Sequence, residues 1–424
     1  MKWTFPYPDV ASLNVPDCNL AGVFSTPSVQ EGLDVDGMIR QAIRKPIGTL
    51  PLSELARGRQ SVLIVCDDVS RPTPAYRILP YILEELHQAG IRDSQVEFLL
   101  ALGSHRPMLP PEMEAKLGKD VVARYPVYNH DWQNPDACEF IGKTAQGVEV
   151  WINKRVAGAD LVIGVGRIMP IDVCGFTGGG KILIPGVCGK KTNDDMHWVR
   201  IDLNSKDIIG RRNNPVRESI DALARQAGLD FILNIGMDLH QRIGFAVAGD
   251  LVDAHQKGCD LAMKLHAVRI PRPANIVVAD SFPFDIEFWQ ANKALDQASA
   301  VVQKGGVLIL VSPCHEGFSA THNEIIDFGY PEIQQIKKLV SCGRIRSKVV
   351  AVHMAQVSHV IREKATVFLV TTGISEADVR KVGLEYAASP QAALDEAFRR
   401  LGRQASVTML RGAAEMLPIL ESEN

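Results

Sequence analysis

The chain has 424 residues, 46% hydrophobic and 22% charged, with a formal net charge of -3; this is too long for a single core, so two domains are expected, and the charge leaves no basic footprint for nucleic acid. No apolar run approaches a membrane span, and residues 1–6 show no signal-peptide core. The eight cysteines form no C-x-x-C pair, which argues against a zinc ribbon or a disulfide scaffold and for a reducing, cytoplasmic location.

Residues 61–66 are short, apolar and β-branched, as a buried strand requires. A helical pattern follows over 75–89, then a second strand over 96–102. This strand–helix–strand order predicts a parallel sheet with right-handed crossovers. Further strands are expected near 125–130, 148–153 and 160–166, and a long helix over 250–268. Pro271 and Pro273 then punctuate the chain. The pattern restarts with strands at 275–280, 306–311, 348–352 and 366–370, a helix over 287–302, and helices between the later strands. The fold class is therefore α/β: two α/β domains with mainly parallel sheets and an interdomain active-site cleft. The expected boundaries are 1–268 and 275–400, with 401–424 a terminal segment that packs back on the linker region. The polar tail at 421–424 is expected to fray.

The densest signal is G-F-T-G-G-G-K-I-L-I-P-G at 175–186. Five glycines surround Lys181. Glycine permits positive φ and close approach of the backbone to a ligand, and three in succession are too costly for a helix or strand interior, so a surface loop is expected. Gly175 to Lys181 fits G-x-x-x-x-G-K, but Ile182 stands where a P-loop needs Ser or Thr for magnesium, and the nearest strand ends too early. A lysine on such a loop is a candidate phosphate binder or covalent attachment point. Cys174 and Cys188 flank the loop; they suit either a soft metal or, more commonly, the core.

Ligands in open α/β sheets bind beyond the carboxyl ends of strands. The first strand runs into Asp67, Asp68, Ser70, Arg71, Pro72 and Pro74: two carboxylates and a guanidinium on a proline-stiffened loop, suited to an anionic substrate or ribose hydroxyls, or to a capped helix start. The second strand runs into Gly103, His105, Arg106 and Pro107, where a histidine can act as a base near neutral pH or stand in a surface turn. Gln290 and Lys293, three apart on a helix, share a face.

Together these residues resemble the nickel-dependent lactate racemase family, as a homologue rather than a lactate racemase proper. The resemblance spans most of the chain and rests on D-D-x-[ST]-R-P-x-P at 67–74, G-x-H-R-P at 103–107, G-F-[ST]-G-G-x-K-x-x-x-P-G at 175–186, the downstream His197, and Q-A-x-K at 290–293. It implies a nickel-pincer nucleotide, in which nickel is bound to a dithiocarboxylated pyridinium mononucleotide, attached to Lys181 through a thioamide, with His197 as the protein ligand to the metal. It further implies that Asp68 and the backbone of Gly178, Gly179 and Gly180 bind the cofactor, that Arg71, Gln290 and Lys293 bind substrate, and that His105 is a catalytic base. The implied reaction takes the hydroxyl proton of a 2-hydroxy acid and moves its C2 hydride to the cofactor and back to the opposite face. The implied partners are the hydroxy acid and cofactor-synthesis proteins, with no nucleic acid and no membrane; protein made without those synthesis proteins would lack the cofactor.

One position departs from the family pattern. Its second catalytic histidine corresponds to Ile171, after Pro170. Asp172 or His353 is then the alternative second base, and the expected substrate shifts from lactate to a larger hydroxy acid or a sugar acid, giving a racemase or 2-epimerase. The alternatives are a non-catalytic carrier of the cofactor and a one-way redox or elimination enzyme on the same fold.

Overall fold

The computed structural model describes residues 1–203, 207–322 and 324–421. Residues 422–424 of the expected frayed tail lie outside them. The chain divides into two compact units. An amino-side unit comprises Ser28–Val199 and Asp207–Leu265. A carboxyl-side unit comprises Met1–Pro27, Arg200–Lys206 and His266–Asn424.

The amino-side unit is built on a six-stranded sheet. In spatial order its strands are Ile243–Gly249, Leu229–Met237, Leu161–Arg167, Val62–Asp67, Val96–Ala101 and Val127–Asn129. All neighbours are parallel except Ile243–Gly249, which pairs antiparallel with Leu229–Met237. The central strands Val62–Asp67 and Leu161–Arg167 are buried along their whole length. Their side chains alternate between two cores: Val62, Ile64 and Cys66 join one, Leu63 and Val65 the other, as the two-residue period of a strand demands. The helix Ala75–Gln88 covers the first face. Register places Asp67 opposite Ala101 and Cys66 opposite Val165. The segments that leave these three interior strands therefore emerge together at the carboxyl end of the sheet.

The carboxyl-side unit carries an all-parallel six-stranded sheet. Its order is Glu385–Tyr386, Ala365–Val370, Val302–Val311, Ala274–Asp280, Val407–Arg411 and Leu20–Ser25. Residues 20–25 fall within the expected 1–268 domain, where the sequence suggests no strand; they form the strand Leu20–Ser25. This strand is the edge beside Val407–Arg411, and Trp3, Phe5, Tyr7, Leu13 and Val15 enter this unit's core. Residues 1–27 join it because those five apolar side chains are buried against Ile276, Ile309 and Met409. Leu417–Leu420 pairs in parallel with Ala267–Ile270, which brings the last segment alongside the linker region.

A second departure is at 348–352, expected as a strand. The segment opens the helix Lys348–His359, capped by Ser347, whose hydroxyl accepts from the Val350 N–H at 3.4 Å. This helix is buried nearly all round, so its apolar run lacks the amphipathic period that separates helix from strand.

Candidate functional site

The loop after Val62–Asp67 and the turn after Val96–Ala101 meet at the carboxyl end of the sheet. His105 Nδ1 lies 2.6 Å from Asp68 Oδ2. The Ser70 hydroxyl donates to Asp68 Oδ1 at 2.6 Å and stands 3.1 Å from the same imidazole nitrogen. Arg71 reaches the Ser70 carbonyl at 3.1 Å and its hydroxyl at 3.0 Å. Burial alone would push the Asp68 carboxyl up, but His105, Arg71 and Ser70 together hold it below the usual carboxylate range. An anionic Asp68 accepts the proton on Nδ1 and leaves Nε2 of a neutral His105 as the basic nitrogen. Asp68, expected as a cofactor contact, is thus directed at His105 and Ser70.

The glycine run departs from the expected surface loop. Gly179–Ile182 forms one turn of 3-10 helix, and Gly179, Gly180 and Ile182 are buried. Gly178 and Gly179 have φ of 76° and 57°, which only glycine adopts readily. A Cβ on Gly178 would stand 2.7 Å from Ile168, one on Gly179 2.8 Å from His255, and one on Gly180 2.9 Å from Ala224. The missing side chains are therefore demanded by protein packing. Part of the backbone is committed as well: Gly179 N–H donates to Asn234 Oδ1 at 2.8 Å, and His255 reaches the Thr177 carbonyl at 2.9 Å. Asn214 donates to the Cys174 carbonyl at 3.2 Å, and Arg217 donates to the Phe176 carbonyl and, at 3.2 Å, to that of Gly178. Burial, with Arg217 beside it, lowers the His255 imidazole to about 3, so it stays neutral.

Lys181 projects from this turn, half-buried. Burial, helped by Arg71 and Arg217, draws its ammonium below the ordinary lysine range against the pull of Cys174 and Asp172. Asp172 also interacts electrostatically with Arg71. It sits half-buried in the hairpin that pairs Pro170–Ile171 with Gly175–Phe176. The neighbouring Ile171 is buried in the core with Cys174, Leu183 and Met196. Cys174 and Cys188 are both fully buried core residues.

His197 is half-buried on the helix Lys190–Trp198, and its Nδ1 lies 2.8 Å from the Asn193 carbonyl. A carbonyl only accepts, so Nδ1 carries the proton and Nε2 the lone pair. Trp132 ties this helix to His105: its Nε1 donates to the His105 carbonyl at 3.1 Å, and its own carbonyl accepts from Lys190 N–H at 2.8 Å. Gly103 N–H reaches the Gly186 carbonyl at 2.9 Å, joining the histidine turn to the end of the glycine run. Among the described residues no group of three or more His, Cys, Asp and Glu side chains is placed to hold a metal.

The amino-side unit thus holds Asp68, Arg71, His105, Asp172, Gly178, Gly179, Gly180, Lys181 and His197. Gln290, Lys293 and His353 belong to the carboxyl-side unit. There Lys293 bonds the Gln290 side chain and lies 4.2 Å from the centre of the Phe284 ring. His353 stacks on Trp289 at 4.4 Å, and His322 lies tilted against the same indole at 4.3 Å.

A model of the lactate racemase N-terminal domain matches residues 9–207, and one of the lactate racemase C-terminal domain matches residues 270–416. The chain belongs to the lactate racemase family. It is similar to the lactate racemase of Thermoanaerobacterium thermosaccharolyticum, 31% identical over 72% of each chain, and to that of Lactiplantibacillus plantarum, 28% identical over 93% of this chain and 94% of the other. The apoprotein structure of the Thermoanaerobacterium lactate racemase superposes with a TM-score of 0.87 at 26% identity, covering 99% of this chain and 100% of that one. A Thermotoga maritima protein of known structure shares the fold, with a TM-score of 0.75 at 23% identity over 93% and 100% of the two chains. Membership of this family makes the protein an isomerase. Among the described residues no helix is long and apolar enough to cross a membrane.

Several residues that hold the candidate side chains and the glycine turn in place carry little sign of it in the sequence: Lys116, Trp132, Asn214, Arg217, Asn234 and His255. Arg217 lies in an ordinary amphipathic helix, Pro215–Gln226, where nothing separates it from a surface arginine. His255 and Cys259, four apart on the helix Asp253–His266, share a face, and that pairing was the one signal available.

Proposed function

We propose that this protein is a racemase or 2-epimerase of a 2-hydroxy acid larger than lactate, using a nickel-pincer nucleotide held by Lys181 and His197. The observation that carries the reading is the His105–Asp68 contact of 2.6 Å beside Arg71. It supplies an oriented base and a cation for a carboxylate.

The residues fit the cofactor. Lys181 is biased toward its neutral, nucleophilic amine by burial and neighbouring cations, so it can carry a covalent attachment. The Nδ1–H of His197 is engaged by a backbone carbonyl, the arrangement that fixes a metal-ligating imidazole. A one-histidine site suits a metal whose other donors arrive with it. The bound group would supply a hydride acceptor at the substrate's C2. The chain's residues do the rest. His105 Nε2 takes the hydroxyl proton, Asp68 holds the imidazole in the required tautomer, and Arg71 binds the substrate carboxylate. Gln290 and Lys293 bind substrate, and the backbone of Gly178, Gly179 and Gly180 borders the cofactor. Asp172, electrostatically linked to both Lys181 and Arg71, is the preferred second proton acceptor, with His353 the alternative.

Lactate is disfavoured because Ile171, in place of a second histidine, cannot carry a proton and is buried in the core. The same residue favours, as a second reading, one-way redox chemistry on this fold. A cytoplasmic setting agrees with eight free cysteines. The test is production alongside cofactor-synthesis proteins, intact mass, and chirally resolved turnover of a hydroxy-acid panel. The reading expects a nucleotide adduct on Lys181 and inversion at C2. Full loading with no inversion of any 2-hydroxy acid would leave the carrier or one-way reading in its place.

A further inference from the structure

Lys116 stands on the helix Pro110–Leu117, outside every motif used above. It is only 7% exposed. Its ammonium meets Asp67 Oδ1 at 2.6 Å, the Asp68 carbonyl at 3.0 Å and the Arg71 carbonyl at 2.7 Å. Two of these contacts are hydrogen bonds to peptide carbonyls and the third is an ion pair with the carboxylate. The second oxygen of Asp67 accepts from the Thr73 hydroxyl at 2.6 Å. Residues 67, 68, 71 and 73 are thus gathered on one buried charge.

A buried ion pair adds little net stability over an apolar pair of similar shape, because both charges must be desolvated. What it adds is direction. Apolar packing cannot set the orientation of two peptide carbonyls, and an ammonium between them can. The two carbonyls held here belong to the residues whose side chains are Asp68, against His105, and Arg71. Asp68 has little other freedom: its Cα position and the 2.6 Å contact together fix where the imidazole points. Gathering these contacts costs an otherwise unnecessary buried lysine, on an element that carries no other site residue.

We propose that Lys116, paired with Asp67, is the positioning residue that sets the His105–Asp68 dyad and the Arg71 guanidinium, acting through the 67–73 backbone without touching substrate. The inference rests on His105 being the base, and it deepens that reading. Displacing a reacting group by about 1 Å costs about 100-fold in rate, which sets the size of the expected effect.

The test uses full-length protein and two readouts. Lys116→Met alone would strand a buried carboxylate, so the paired variant Asp67→Asn/Lys116→Met is the main probe. Lys116→Arg keeps the charge but not the three-oxygen fit. In apo protein carrying 15N-labelled histidine, the Nδ1-bound proton of His105 is assigned by its loss in His105→Gln. Wild type should show this proton as a slowly exchanging, hydrogen-bonded resonance. The paired variant should fold with a cooperative melt yet lose the resonance, and its cofactor-loaded form should lose about 100-fold in kcat. Lys116→Arg should fall between the two in both readouts. A folded paired variant that keeps the resonance and its kcat overturns the proposal, as does a Lys116→Arg protein indistinguishable from wild type. Absence of the resonance in wild type, or an undiminished kcat in His105→Gln, would instead sink the base assignment beneath it.

Discussion

In the amino-side unit the candidate side chains are fixed by hydrogen bonds: His105 to Asp68, His197 to the Asn193 carbonyl, and the turn bearing Lys181 to Asn214, Arg217, Asn234 and His255. In the carboxyl-side unit the candidate residues make ring contacts as well as the Lys293–Gln290 hydrogen bond. His353 and His322 pack on Trp289, Phe288 meets Phe318 edge-on, and Lys293 lies over Phe284. Hydrogen bonds specify direction to within tens of degrees, as proton transfer and covalent attachment require. Ring packing specifies shape and tolerates substitution by other rings. On the proposed function the chemistry falls to the first unit and substrate fit to the second, and substitutions in the two should then differ in kind.

The largest effect should come from Lys181. Lys181→Ala should abolish both turnover and the nucleotide adduct in intact mass, while the apo protein keeps its fold. An active, unmodified protein would end the cofactor assignment. Next is His105→Ala, expected to lose roughly 10²–10⁴ in kcat/KM, the range for removing a general base. Thermodynamics ties kcat/KM in the two directions to the equilibrium constant, so the loss must be equal from either isomer. Wild-type values on the true substrate would refute the base.

Arg217→Met probes the support beneath Lys181. It strands the carbonyls of Phe176 and Gly178 and the largely buried Asp221. Removing one partner of a buried ion pair costs about 3–5 kcal/mol, measurable in the denaturant midpoint of the apo protein. A change below about 1 kcal/mol would mean that the glycine turn holds itself. The carboxyl-side unit offers a pH-dependent counterpart. Asp280 ends the strand Ala274–Asp280, fully buried, with one oxygen accepting the Gly412 N–H at 3.0 Å. Burial outweighs that bond and lifts its carboxyl from 3.8 to about 7. The folded chain therefore keeps a proton that the unfolded chain releases above about pH 4, so stability falls as pH rises from about 4 to about 7 and then levels off, by on the order of 4 kcal/mol. Asp280→Asn should flatten this slope in chemical denaturation; an unchanged slope would place the titration elsewhere.

Strand-end logic reached much of this architecture from sequence. The runs at 61–66 and 96–102 are short and apolar, they fall within a residue of the strands Val62–Asp67 and Val96–Ala101, and the polar segments after them converge as parallel register requires. The glycine run was legible as a site but not as a buried turn, because its partners Arg217 and His255 lie far along the chain and look like ordinary helix residues. Lys116 was hidden for the same reason: a single lysine in a helix of mixed composition carries no sign that three oxygens await it. The helix Lys348–His359 reads as a strand at 348–352 because burial of nearly all its faces erases the amphipathic period. Residues 1–27 gave no hint that they join the carboxyl-side sheet, since the strand Leu20–Ser25 is an edge strand that carries little apolar alternation.

His353 gives the smallest expected effect and the sharpest test of the contrast. Its ring lies 26° from the plane of Trp289 at 4.4 Å, and Tyr330 and Phe288 stand at 6.0 and 6.2 Å. If it serves as packing, His353→Phe preserves a flat ring against Trp289 and should change rates by less than about threefold, under 1 kcal/mol. If it were the second base, the loss would be 10²–10⁴. Steady-state kcat/KM cannot reveal which isomer's proton it handles, because the equilibrium constant forces equal losses. Single-turnover formation of the 2-keto acid from each pure isomer can, since each half-reaction then stands alone. His353→Phe should leave both half-reactions near wild type, whereas Asp172→Asn should slow one of them far more than the other. A one-sided loss in His353→Phe would move proton chemistry into the ring-packed unit and break the division between the two.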